Sequence, residues 1–64
     1  MIDRLKIKGL MGSNNMKQID VAKALGISVN AFNMKLNNKS KFNENEVKDM
    51  AVFFNVEVDF LFKQ

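Results

Sequence analysis

The sequence predicts an all-α fold, a compact domain of five short helices, and three features carry that prediction. Proline is absent and glycine stands only at positions 9, 12 and 26, so strong helix breakers are few. Apolar residues recur mostly three and four positions apart, the period of a helix with one face in a core. Residues suited to stopping and starting helices (Gly26 and Ser28, Asn43 with Glu46, and Asn55) fall between the periodic stretches.

Residues 1–11 form the first expected helix, with Ile7, Leu10 and Met11 on one face. Gly9 and Gly12 weaken its end, and Ser13, Asn14 and Asn15 make a polar connection. A second helix is expected over 17–25, where Val21, Ala22 and Leu25 give the narrow apolar face of a short helix. Gly26 follows directly and can end that helix in a left-handed conformation without a Cβ clash. Ile27 plugs the turn, and Ser28 stands at the N-cap position of a third helix over 29–37, whose Phe32 and Leu36 face inward. Only Gly26, Ile27 and Ser28 separate the two helices, so their axes must diverge steeply, as in a helix-turn-helix.

The stretch FNENEV carries the clearest start signal in the chain. Asn43 can cap, Glu46 lies three residues on to close a capping box, and Phe42 can staple onto Val47. The fourth helix is expected to reach Phe54, burying Val47, Met50, Ala51 and Phe54, with Asn55 ending it. A short fifth helix over 58–62 brings Leu61 and Phe62 back to the core.

At 64 residues the chain makes one domain, 1–64, with no linker, internal repeat or low-complexity segment. Cysteine and histidine are both absent, which removes disulfides, the usual zinc ligands and the commonest general base. No metal or other cofactor is expected. Glu44, Glu46 and Asp49 are accounted for by capping and the dipole of the fourth helix, so no catalytic carboxylate pair remains and no enzyme is expected. No apolar run approaches the roughly 20 residues that span a bilayer. Charged residues interrupt the start where a secretory signal would be apolar, and a cytoplasmic location is the expectation. Charge is unevenly spread: residues 1–43 hold eight Lys/Arg against two Asp/Glu, and residues 44–64 hold two against five. A basic region of this kind suits a polyphosphate partner.

The run KQIDVAKALGISVNAF combines a small Ala22 where two helices cross, Gly26 in the turn, and Val21, Leu25, Ile27 and Phe32 locking the pair from beneath. With IKGLMGSNNMKQIDVAKALGIS, AFNMKLNNKSKF and the closing AVFFNVEVDFLF, the chain resembles the Cro/cI-type (XRE-type) helix-turn-helix family of phage and bacterial repressors over nearly its whole length. The resemblance implies a five-helix, lambda-repressor-like domain that binds double-stranded operator DNA as a homodimer, helices two and three forming the reading unit over 18–37. It departs from the family at Lys17, where a Thr or Ser cap is common, and at Met11 and Leu36, where many members pair Arg with Glu. Lys35 also stands at a usually apolar position.

The resemblance implies that the third helix enters the major groove. Its outward residues Val29, Asn30, Asn33 and Met34 are the expected base contacts, Asn30 first because an Asn amide can grip adenine N6 and N7 together. Arg is absent from this helix, so readout weighted toward A·T pairs is expected. Gln18 matches a position that contacts phosphate in relatives, and Lys17, Ser28, Lys35, Asn37, Asn38, Lys39 and Lys41 are the other expected phosphate contacts. On the family template Val52, Phe53, Val58 and Phe60 lie off the core, and they form the expected dimer interface. A Cro-like phage or prophage repressor fits this length better than a full-length lysogeny repressor. The alternative is a protein-interaction module or toxin–antitoxin antitoxin on the same fold, and the basic front half argues against a pure interaction domain.

Overall fold

The computed structural model describes residues 1–63. Four α-helices follow one another: α1 (Arg4–Ser13), α2 (Gln18–Leu25), α3 (Val29–Leu36) and α4 (Glu44–Phe54). A single 3-10 turn, Val58–Leu61, closes the chain, and the described residues form no strand. The fold is all-helical, with four α-helices where five were expected. No described helix is long and apolar enough to cross a membrane.

One core serves every element. Ile7 and Met11 come from α1, Val21, Ala22 and Leu25 from α2, and Phe32 and Leu36 from α3. Val47, Met50, Ala51 and Phe54 come from α4, and Leu61 from the terminal turn. These are the apolar positions of the helical period, because only one face of a short helix can turn inward. α2 packs against both α3 and α4, so it is the hub on which the outer elements are set. Met11 and Leu36 both lie in this core.

All four helices end in the same way. Asn15, Gly26, Asn38 and Asn55 take positive φ angles of 57°, 71°, 62° and 58°. Each end carries the paired hydrogen bonds of a Schellman motif, as where the Gly26 and Ile27 amides donate to the carbonyls of Lys23 and Ala22. The residue after each left-handed position is thereby turned back across its helix. Met16, Ile27 and Val56 use this to pack on the core. Lys39 stands at the corresponding place after α3, and it is exposed.

Starts follow local chemistry as well. Ser28 Oγ accepts from the Ala31 amide at 3.1 Å. Asn43 Oδ1 accepts from the Glu46 amide at 2.8 Å while Glu46 Oε1 accepts from the Asn43 amide at 2.9 Å, closing the expected capping box. Phe42 folds onto the core, its ring centroid 6.0 Å from that of Phe32. Lys17 offers no side-chain acceptor at the start of α2, but Asp20 Oδ2 accepts from the Lys17 amide at 2.8 Å and supplies the reverse half of a capping box.

The start of α1 and the terminal helix differ from expectation near the chain ends, and α1 also runs two residues past its expected end, to Ser13. α1 begins at Arg4 because Asp3 Oδ1 accepts from the Leu5 and Lys6 amides at 3.1 and 3.4 Å, which makes Asp3 the N-cap. Gly9 and Gly12 lie inside this helix. The residues ahead of Asp3 are extended, and Ile2 forms an antiparallel bridge with Phe62. Flanking bonds run from the Asp3 amide to the Leu61 carbonyl at 2.8 Å and from the Lys63 amide to the Met1 carbonyl at 2.9 Å. Phe62 is drawn into this bridge with φ −98° and ψ 150°, so the expected fifth helix stops after one 3-10 turn.

Candidate nucleic-acid interface

α3 is held by Phe32 and Leu36, one helical turn apart, and both are fully buried. Its outward arc carries Val29, Asn30, Asn33 and Met34, all exposed. The i, i+1, i+4, i+5 spacing places the four on one arc of the helix. Ala31 between them is half-buried and short, so nothing bulky keeps a partner from the backbone there. From Val21 through Asn43 the chain contains no Asp or Glu, and Lys23, Lys35, Lys39 and Lys41 all lie in that stretch. The surface around α3 is therefore free of acids from its own segment.

The flanking cations divide into two kinds. Lys17, Lys39 and Lys41 are exposed and make no ion pair among the described residues. Lys39 is turned outward by the α3 Schellman motif, its amide donating to the Met34 carbonyl at 2.9 Å. Lys35 is different and corrects the expectation that its ammonium is available to a phosphate. Lys35 Nζ lies 2.7 and 2.8 Å from the two carboxylate oxygens of Glu46, and both side chains are largely buried. Burial pushes the Glu46 carboxyl toward its neutral form. The hydrogen bond from Lys35, the Asn43 amide and the Lys35 charge together outweigh this and hold its pKa below the usual carboxylate value. The pair ties the last turn of α3 to the first turn of α4. Two sequence signals point to it: a lysine at a position expected to be apolar, and a glutamate already placed on the inner side of α4 by its capping role.

Polar side chains on this surface also engage each other. Gln18 at the start of α2 is half-buried and accepts from Asn33 Nδ2 at 3.2 Å. Asn37 Nδ2 donates to the Asn33 carbonyl at 2.9 Å and to Asn33 Oδ1 at 3.3 Å. An expected phosphate contact and an expected base contact thus touch directly, which spacing alone does not reveal. Asn37 and Asn38 also build the end of α3, Asn38 through its positive φ. Ser28, capping through its oxygen, keeps its hydroxyl proton available to an outside acceptor.

On another part of the surface Val52, Val58 and Phe60 are 81%, 36% and 43% exposed and line a shared shallow groove with Val56 and Ala51. Phe53 departs from this set. It is half-buried, packs on the core, and meets Phe54 edge to face at 5.4 Å. Phe60 is partly covered by Lys6, whose Nζ sits 4.8 Å from the ring centroid. Met1, Leu5 and Ile19 are further exposed apolar side chains that helical spacing did not single out. No protein-family model, curated protein or solved structure matches the chain, so its own residues carry the functional argument.

Proposed function

We propose that this chain is a sequence-specific regulator of transcription that binds double-stranded DNA, in the manner of a Cro-like repressor. In this reading α2, the turn at Gly26, Ile27 and Ser28, and α3 act as a helix-turn-helix, with α3 in the major groove. The observation that carries the reading is the outward arc of α3. It offers the short amides of Asn30 and Asn33 and the apolar side chains of Val29 and Met34, on a segment without acids and beside unpaired lysines. Amides match the donor and acceptor pattern of adenine, and apolar groups match the thymine methyl. Lys17, Lys39 and Lys41 then meet phosphates, which positions α3 without specifying sequence.

Scale supports a dimer. The molecule is 26 Å along its longest axis, while successive major-groove turns on one face of DNA are about 34 Å apart. One copy therefore reads one half-site. Val52, Val58 and Phe60 supply an apolar patch that supports pairing of two copies.

The test is an anisotropy titration of the protein against random-sequence duplex at 50 and 200 mM salt. If three lysines per copy each displace a counterion, log affinity falls with log salt at a slope of about −5 for the dimer. Absence of salt-sensitive binding would discard the DNA reading in favour of a protein-interaction module.

A further inference from the structure

We infer that Asn33 is the principal base reader and recognises adenine, and that Gln18 and Asn37 are positioning residues that fix the polarity of its amide. The inference rests on the DNA-binding reading and reorders it, because residue type alone ranks Asn30 first. Asn30 makes no side-chain hydrogen bond among the described residues, whereas Asn33 is held at both ends of its amide.

The polarity of the array has one anchor. The backbone carbonyl of Asn33 can only accept, and Asn37 Nδ2 donates to it at 2.9 Å. With its nitrogen fixed there, Asn37 presents an N–H to Asn33 at 3.3 Å, so the Asn33 atom on that side must be oxygen. Asn33 Nδ2 then faces α2 and donates to Gln18 Oε1 at 3.2 Å. Reversing the Asn33 amide would set nitrogen against nitrogen toward Asn37. The chain Asn37, Asn33, Gln18 therefore has a direction.

A primary amide has two N–H donors and two acceptor lone pairs. The array uses one of each on Asn33 and leaves one of each. One donor and one acceptor are what adenine N7 and N6 require of a bidentate partner. Asn30 must lose its rotamer freedom when it binds, and Asn33 has already lost it in the fold. The same direction leaves Gln18 with its Nε2 hydrogens free, which suits a phosphate oxygen. Gln18 thus serves two roles through opposite ends of one amide.

The experiment measures relative affinities for duplexes carrying each of the four bases at every position of the preferred site. Asn33→Ala is expected to erase an adenine preference at one base pair per half-site. Gln18→Met removes the acceptor and Asn37→Ala the anchor, and each is expected to lower that same preference by about fivefold or more. Gln18→Glu keeps the acceptor, so it weakens all duplexes alike and retains the preference. In an Asn33→Ala background, Gln18→Met has no further effect on base preference. An adenine preference unchanged in Gln18→Met and Asn37→Ala, or one erased by Asn30→Ala and not by Asn33→Ala, overturns the inference while leaving DNA binding intact. A wild-type protein that binds no duplex at any salt overturns both.

Discussion

Glu46 receives hydrogen bonds from Lys35 and from the Asn43 amide at a site where the residue is only 7% exposed. Its carboxyl pKa is lowered in the folded state, so the unfolded chain takes up the proton more readily. The resulting stability is complete above the ordinary glutamate value of about 4.3 and is lost as pH falls through it toward the lower folded value. Glu46→Gln, which keeps the capping geometry and removes the charge, is expected to flatten that acid limb in denaturation midpoints measured from pH 6 to 3. Lys35→Leu alone leaves a buried carboxylate without its cation, and urea denaturation should show a loss of about 3 kcal/mol. Adding Glu46→Gln to Lys35→Leu should recover most of that loss, because no charge is then left buried without its partner. The same double variant separates structure from recognition. Its salt slope on duplex DNA should match the wild type, because the Lys35 charge is already neutralised, whereas Lys39→Ala should make the slope of the dimer shallower by about 2. The sequence marked Lys35 as a cation at a usually apolar position of α3 and Glu46 as a cap of α4, but did not join them, because α3 and α4 meet through a connection whose path no local rule specifies.

Helices were the most legible features of the chain, and the reason is distance along it. A cap links a residue to one three positions on, as at Ser28 and Ala31 or Asn43 and Glu46, so sequence shows both partners together. The stops are equally local. At Gly26 a Cβ would meet nothing within 4 Å, so the whole cost of adding one comes from its φ of 71°. Gly26→Ala is accordingly expected to destabilise by about 1 kcal/mol, a fall in thermal midpoint of roughly 4–8 °C for a domain of this size. Asn38→Gly, at φ 62°, should keep or slightly raise the midpoint, and Asn38→Ala should lower it. Legibility failed where an element is ended by something far away. The shortening of the terminal helix depends on Phe62 meeting Ile2. A bridge of one residue pair has no period to read. The start of α1 is instead set by the Asp3 cap, a local signal that the apolar period passed over. Phe53 differs from its expected place for another reason: the family template sets it off the core, but its ring leans onto the core beside Phe54.

At the scale of the molecule, a basic surface around α3 and an apolar patch of Val52, Val58 and Phe60 are separate parts with separate tests. Val52 is the cleanest probe of the second, being the most exposed of the three. Sedimentation should show the wild type associating as concentration rises and Val52→Glu remaining a monomer with an unchanged thermal midpoint. A wild type that stays monomeric at high concentration would remove the proposed interface. The charge split pointed to the first part and the family template to the second, while the amide array from Gln18 to Asn37 joins residues of α2 and α3 that are 15 positions apart at Gln18 and Asn33 and so has no local signal. Recognition by α3 is the central claim, and selection of bound sequences from a random duplex library addresses it most directly. The account predicts a recovered site with two related half-sites, weighted toward A·T pairs, in which Asn33→Ala changes one position per half. Recovery of sequences no different from the starting library, or of a site unaffected by Asn30→Ala and Asn33→Ala alike, would contradict it.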